Sequence, residues 1–251
     1  MVGKIVWDSK RETLPKHRFA FAAFPGVGNV GKLLVDGLAD GLDSEKIASL
    51  FHPDMPPQAN LIDGLLTPPH LSMYSIDLGG EKILTITGEA QPLSTSGQYE
   101  MAETILTTVA DLGCEFLLVL AGLSSEPTCE DVFAICADLK SKELFAKGGG
   151  EIATDKPAGG VIGLAGLLAS MGPVNGISSG CVVAATIGSS VDVHAGERLR
   201  LALQRWLNLK LPIPIATTEA IAGRIESLVE KYPDAQMPND FLSEEPSTLY
   251  A

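Results

Sequence analysis

Along the chain, short and continuously apolar runs alternate with longer segments whose apolar residues recur every three or four positions. A run of four to eight apolar residues bounded by glycine or proline reads as a strand buried on both faces, and the three-to-four spacing reads as a helix with one buried side. The first apolar run covers residues 19–24 and ends in Pro25-Gly26; residues 30–42 follow as a helix with Leu33, Leu34 and Leu38 on one side. Residues 46–51 read as a second strand. Residues 72–78 and 82–87 read as a hairpin across Gly79-Gly80, a pair that tolerates the positive φ angles of a tight turn. The prolines at 53, 56, 57, 68 and 69 mark the stretch between them as a loop.

Further along, residues 96–112 read as a helix opened by a serine or threonine cap and ended at Gly113. Residues 116–120 and 132–137 read as buried strands, with a short helix over 140–147 stopped by three glycines. A helix rich in small residues over 162–171, able to approach a neighbouring backbone closely, precedes a last core strand over 177–187. Asp192 reads as the cap of an amphipathic helix over 193–207, and Thr217 as the cap of a final helix that stops before Pro233. This alternation predicts an α/β fold of three layers, α/β/α, around a mostly parallel sheet. The expected organisation is one α/β domain over residues 1–232 and a flexible, acidic segment over 233–251.

Charge narrows the partners. The 31 acidic residues outnumber the 18 basic ones, for a net charge of -13. With no local basic patch, such a surface repels phosphate backbones, which argues against nucleic acid as a partner. Cys114, Cys129, Cys136 and Cys181 lack the paired spacing of a zinc site or a disulfide framework. No charge occurs over residues 157–191, yet the Gly-Pro-Val-Asn-Gly break at 172–176 leaves neither flank the ~20 apolar residues of a membrane span. With no apolar leader near the first residues, a soluble, cytoplasmic protein is expected.

Candidate chemistry centres on Gly26-Val27-Gly28-Asn29-Val30-Gly31, between a strand and a helix. Glycines there let a backbone approach a pyrophosphate at a helix N-terminus. The acidic residue expected about twenty positions on is missing from the next strand end, which carries His52 and Pro53. The same residues nearly spell a P-loop ending in Lys32, but Leu33 stands where a magnesium-binding hydroxyl belongs. The loop therefore reads either as a ligand loop formed by Gly26, Gly28, Asn29 and Gly31 or as a turn that packs the first helix tightly. His17, His52, His70 and His194 offer no pair at metal-ligand spacing beyond His52 with Asp54. Gly122-Leu123-Ser124 begins like a nucleophile elbow, but Glu126 replaces the second glycine. Glu89 reads as a cleft-lining carboxylate or, more commonly, a cap or turn ligand. No metal, cofactor or catalytic set is expected.

The segment 240–251 is acidic and interrupted by Pro246, and it finishes in Leu249-Tyr250-Ala251. A hydrophobic residue, a tyrosine and any residue form an aromatic anchor suited to a partner's pocket. Together with Phe24-Pro25-Gly26-Val27-Gly28-Asn29-Val30-Gly31-Lys32 and the Gly163-Leu164-Ala165-Gly166-Leu167-Leu168 helix, the pattern resembles the proteasome assembly chaperone 2 family in its archaeal form over about residues 18–232. The resemblance implies a phosphorylase/hydrolase-like α/β/α fold, self-association into a homo-oligomer, and a non-catalytic chaperone or regulator that binds the proteasome α-subunit ring. It places that binding on Leu249, Tyr250 and Ala251. The alternative is an enzyme of ATP-grasp-like ligase or transferase type with its ligand at the glycine loop.

Overall fold

Each strand of the central sheet is explained by which face its alternate side chains must fill. A computed structural model of the chain describes residues 3–62, 64–157, 160–188 and 190–231. In chain order the elements are β1 (Lys4–Trp7), β2 (Phe19–Ala22), α1 (Val30–Gly41), β3 (Asp43–Phe51), β4 (Asn60–Ile62), β5 (Leu65–Thr67), β6 (Leu71–Asp77) and β7 (Lys82–Gly88). They continue as α2 (Thr95–Asp111), β8 (Phe116–Ser124), β9 (Val132–Cys136), α3 (Leu139–Lys147), α4 (Gly163–Met171), β10 (Ser178–Thr186), α5 (Val193–Leu207) and α6 (Ile215–Lys231).

Eight strands form one mixed sheet in the order β1-β3-β6-β7-β2-β8-β10-β9. The central pairs β7/β2, β2/β8 and β8/β10 are parallel, and the remaining pairs are antiparallel, so β3, β7, β2, β8 and β10 all point one way. Along β2, Ala20 and Ala22 face one core and Phe19 and Phe21 the other. The first core packs the sheet on α2 and α4 through Met101, Ile105, Leu164 and Leu168; the second packs it on α1 and α5 through Leu34, Leu38, Leu199 and Leu203. Helix α6 lies outside α1, where Ile221 and Ile225 close over Leu33. This is the three-layer α/β/α arrangement that the strand–helix alternation predicts.

Most boundaries fall within a few residues of those read from the pattern. The hairpin β6/β7 turns through Gly79 (φ 84°) and Gly80 (φ 126°). Ser94 caps α2 by accepting the Gly97 N–H at 3.1 Å, and Asp192 caps α5 by accepting the Ala195 N–H at 2.9 Å. In α4, a Cβ on Gly166 would meet the carbonyl of Val161, in the turn that leads into the same helix, at 1.9 Å.

Two readings need correction, and one strand is added to them. The last helix starts at Ile215, because the Pro214 carbonyl accepts the N–H groups of Thr217 (3.0 Å) and Thr218 (3.1 Å), which puts Thr217 inside the first turn and not at the cap. The proline-rich stretch is not only loop. It holds the hairpin β4/β5, for which the Asp63-Gly64 dipeptide between Leu-Ile and Leu-Leu is the overlooked sequence signal, with Gly64 at φ 80°. Strand β1 pairs with β3 at the sheet edge, a pairing that its half-buried alternation signals only weakly. No described helix is long and apolar enough to cross a membrane.

His17, just before β2, is buried with its Nε2 at 2.8 Å from the Ser75 hydroxyl, and its Nδ1 has no partner. Burial, reinforced by the charge of Lys82, lowers its pKa from 6.5 to about 4. The fold therefore holds the neutral ring, and its stabilising effect is complete above pH 6.5 and lost as pH falls toward 4. His17→Gln, which cannot protonate, should remove on the order of 2 kcal/mol of stability loss across that window. Urea denaturation of both proteins between pH 7 and pH 4 measures it.

Candidate functional site

The C-terminal ends of β2 and β8 lie side by side, and the turn after β2 fills the space between them. That turn contains the glycine motif. Gly28 (φ 62°) and Asn29 (φ 46°) adopt left-handed conformations that reverse the chain into α1. The turn is tied across to the loop before α5: the Asn29 side-chain amide donates to the Ser190 carbonyl at 2.7 Å, and the Gly28 carbonyl accepts the Asp192 N–H at 2.9 Å. Asp192 also accepts the Thr186 hydroxyl at 2.7 Å, joining the end of β10 to the same knot.

Two of the glycines are there because backbone meets backbone, and a third because a side chain stands against it. A Cβ on Gly31 would stand 2.0 Å from the Leu120 carbonyl oxygen, and one on Gly122 would stand 2.2 Å from that of Val27. A Cβ on Gly28 would stand 2.7 Å from the Thr186 hydroxyl. Close packing alone thus accounts for Gly28 and Gly31, and Gly122 is a third member of the set that motif matching passes over.

Beside the turn opens a cleft of about 390 Å³. It is lined by the turn, the last residues of β8, Gln91, Val161, Ile162 and Ser190, and no charged side chain lines it among the described residues. Gln91 is occupied in donating to the Pro25 carbonyl at 3.0 Å. Lys32, the residue at the P-loop lysine position, points away from it. Its ammonium sits 2.8 Å from Asp36 and 3.5 Å from Glu89, and the side chain is almost fully buried. Burial alone would lower the Lys32 pKa, but the Asp36 and Glu89 carboxylates more than offset it and the net shift is upward. Asp36 also accepts the Thr87 hydroxyl at 2.7 Å and lies 3.3 Å from Arg224 of α6, which holds Asp40 at 2.8 Å. Glu89 therefore serves as an ion-pair partner in this cluster, neither a cap nor a turn ligand.

Other candidates resolve into structural roles. The His52 Nδ1 accepts the Asp54 N–H at 3.2 Å, which leaves Nε2 to donate to Glu100 at 3.1 Å. Asp54 accepts both the N–H and the hydroxyl of Ser94, at 2.6 and 2.8 Å, and so braces the start of α2. No group of three or more His, Cys, Asp or Glu placed to hold a metal occurs among the described residues. Ser124 lines the cleft, but His17, His52 and His70 make their hydrogen bonds elsewhere. Burial pushes the thiols of Cys114 and Cys181 up to about 12, which keeps them protonated and unreactive.

Leu249, Tyr250 and Ala251 lie outside the described residues, as does everything beyond Lys231. The helix that leads to them is well placed. Pro214 and Thr217 at its start lie against Gly41 at the end of α1, whereas Val229 near its end joins Leu33 and Val191. α6 thus runs antiparallel to α1 and delivers the chain to the end of the sheet where the cleft opens.

A family model described as the PAC2 family matches residues 20–232. The chain belongs to the PAC2 family. Among relatives, the uncharacterized protein MJ1210 of Methanocaldococcus jannaschii is 30% identical over 232 residues, 91% of this chain and 88% of that one. The fold is shared with Pyrococcus furiosus PbaB, described as an archaeal proteasome activator, at TM-score 0.75 and 21% identity over 93% of this chain and 99% of that one. It is shared also with P. furiosus PbaA, described as an archaeal homolog of proteasome-assembly chaperone, at TM-score 0.72 and 22% identity over the same shares. In this PAC2 chain the glycine motif is part of the conformation that seats α1 on the sheet.

The buried ion cluster makes a sharp prediction. Asp36→Leu leaves the Lys32 ammonium with only Glu89 at 3.5 Å and should cost about 3–5 kcal/mol, whereas Lys32→Met combined with Asp36→Leu should recover at least half of that loss. Chemical denaturation of the two variants against the parent chain measures both values.

Proposed function

We propose that this chain is a non-catalytic proteasome regulator, an assembly chaperone or activator that docks on the α-subunit ring through Leu249, Tyr250 and Ala251. The observation that carries this reading is the PAC2-family match over residues 20–232, together with the proteasome-related descriptions of PbaB and PbaA. Leu249 fills an apolar pocket on the ring and Tyr250 wedges beside it. The rest of the segment 233–251, rich in polar and acidic residues, spans the distance from α6.

A short peptide that must order on binding holds weakly. Self-association of the body answers this: several segments on one oligomer raise the effective concentration and so the avidity, often by ~10²-fold or more. The α/β/α body is the scaffold that presents the segments; in it Gly28 and Gly31 serve as packing residues and Asn29 as a tie to the Ser190 carbonyl, not as a phosphate cradle, and Gly26 precedes them in the same turn. Such a protein works in the cytoplasm beside its target.

Deletion of residues 249–251 tests the reading. In a pull-down with purified archaeal proteasome α rings, the shortened chain should lose at least about tenfold in affinity, consistent with loss of a dominant anchor, while its melting temperature stays unchanged. Binding of the shortened chain at full strength would refute the docking mode.

A further inference from the structure

The grip of the body on the chain loosens abruptly after α5. Leu209 and Leu211 are still buried in the core that packs the sheet on α1 and α5. The Leu211 N–H donates to the Gln204 side chain at 2.9 Å, and the Leu211 carbonyl accepts from Arg200 at 2.8 Å. Ile213 packs on α1, where a Cβ on Gly37 would meet it at 3.1 Å. Pro212 and Pro214 flank that last anchor.

Beyond Pro214, α6 rests on α1. Among its described side chains Ile221, Ala222 and Ile225 are buried, and they close over Leu33 in a small cluster separate from both sheet cores. Arg224 adds ion pairs to Asp40 at 2.8 Å and to Asp36 at 3.3 Å, but Arg224 and Asp40 are both about half exposed, which leaves such pairs weak. Asp36 has Lys32 at 2.8 Å and the Thr87 hydroxyl at 2.7 Å within the body, so departure of Arg224 strands no buried charge.

The helix is also weakened from within. Gly223 lies at its centre, exposed, and a Cβ there would have nothing within 4 Å. Its φ is not positive, so neither backbone conformation nor close approach requires glycine at this position. A glycine inside a helix lowers its stability roughly fivefold relative to alanine. Thr217, Thr218 and Ser227 are weak helix formers as well. Isolated helices of about 15 residues are marginal in water even when rich in alanine, so the 17 residues of α6 keep their form only while α1 supports them.

We infer that α6 opens from α1 as one unit, hinged at residues 212–214, while the α/β/α body stays folded, and that Gly223 sets the balance between the two states. Once open, the helix melts, and 17 residues join the segment that carries Leu249, Tyr250 and Ala251, adding up to ~56 Å of extended chain. One body thereby presents that segment at a short and at a long reach. The consequence for reach rests on the proposed function; the opening itself does not.

Hydrogen–deuterium exchange of the intact chain at pH 7, read by mass spectrometry on overlapping peptides from α1 and α6, tests the opening. Amides across residues 219–229 should share one protection factor, at least about 100-fold below that of α1. Gly223→Ala should raise that factor roughly fivefold and Arg224→Gln should lower it about threefold, with α1 unchanged in both variants. Protection of α6 equal to that of α1 would overturn the inference. So would a gradient that falls steadily toward Lys231, the mark of a fraying end, or a Gly223→Ala variant whose α6 exchanges as fast as the parent's. No proteasome is present in this experiment, so failure of α6 to open and failure of residues 249–251 to dock are read from separate measurements.

Discussion

Helix α1 lies on β8 with no side chain between them at Gly31, and the rest of the molecule is arranged around that contact. The Leu120 carbonyl occupies the place where any Cβ at position 31 would sit. The approach requires the left-handed turn at Gly28 and Asn29, and that turn is held by Ser190, Asp192 and Thr186 from the far side of β8. Once α1 is seated, Lys32 and Asp36 are sealed beneath it against β7, and Arg224 ties α6 onto the same cluster. A backbone contact at one glycine thereby fixes the path of the last described helix, and with it the point from which residues beyond 231 depart.

Much of this is legible in the sequence. Strands buried on both faces announce themselves as apolar runs, so β2, β8 and β10 were identifiable, and Gly79-Gly80 and Asp192 carry unambiguous turn and cap chemistry. What failed did so for local reasons. Thr217 has the right chemistry for a cap, but the Pro214 carbonyl reaches the first free N–H groups sooner. The β4/β5 hairpin hides among prolines that otherwise spell a loop, and it faces solvent, so it lacks the periodic burial that makes a strand legible. The glycine motif left two roles open because glycine is selected by close approach of any kind, whether the neighbour is a phosphate or a carbonyl. Lys32 was misleading for the same reason: its position matches a phosphate-binding lysine, and only the fold places Asp36 and Glu89 beside it.

The chemistry that the described residues can support is correspondingly quiet. Among them His17, His52 and His70 are bonded to structural partners, the buried thiols of Cys114 and Cys181 are protonated, and the buried Lys32 is neutralised by carboxylates. Two surfaces without charge among the described residues stand out on so acidic a chain: the cleft by the glycine turn and the groove between α2 and α4. That distribution suits a body that works by contact with other proteins, and it is consistent with a PAC2 member acting as a scaffold.

The most direct test of that account is an isothermal titration of the intact protein with NAD and with magnesium-ATP. If the glycine turn is packing for α1 and Lys32 is spent on Asp36, neither nucleotide finds a cation or an open cradle, and neither should give saturable heat. Stoichiometric binding of either one, lost on substituting Gly28, would contradict the account at its root.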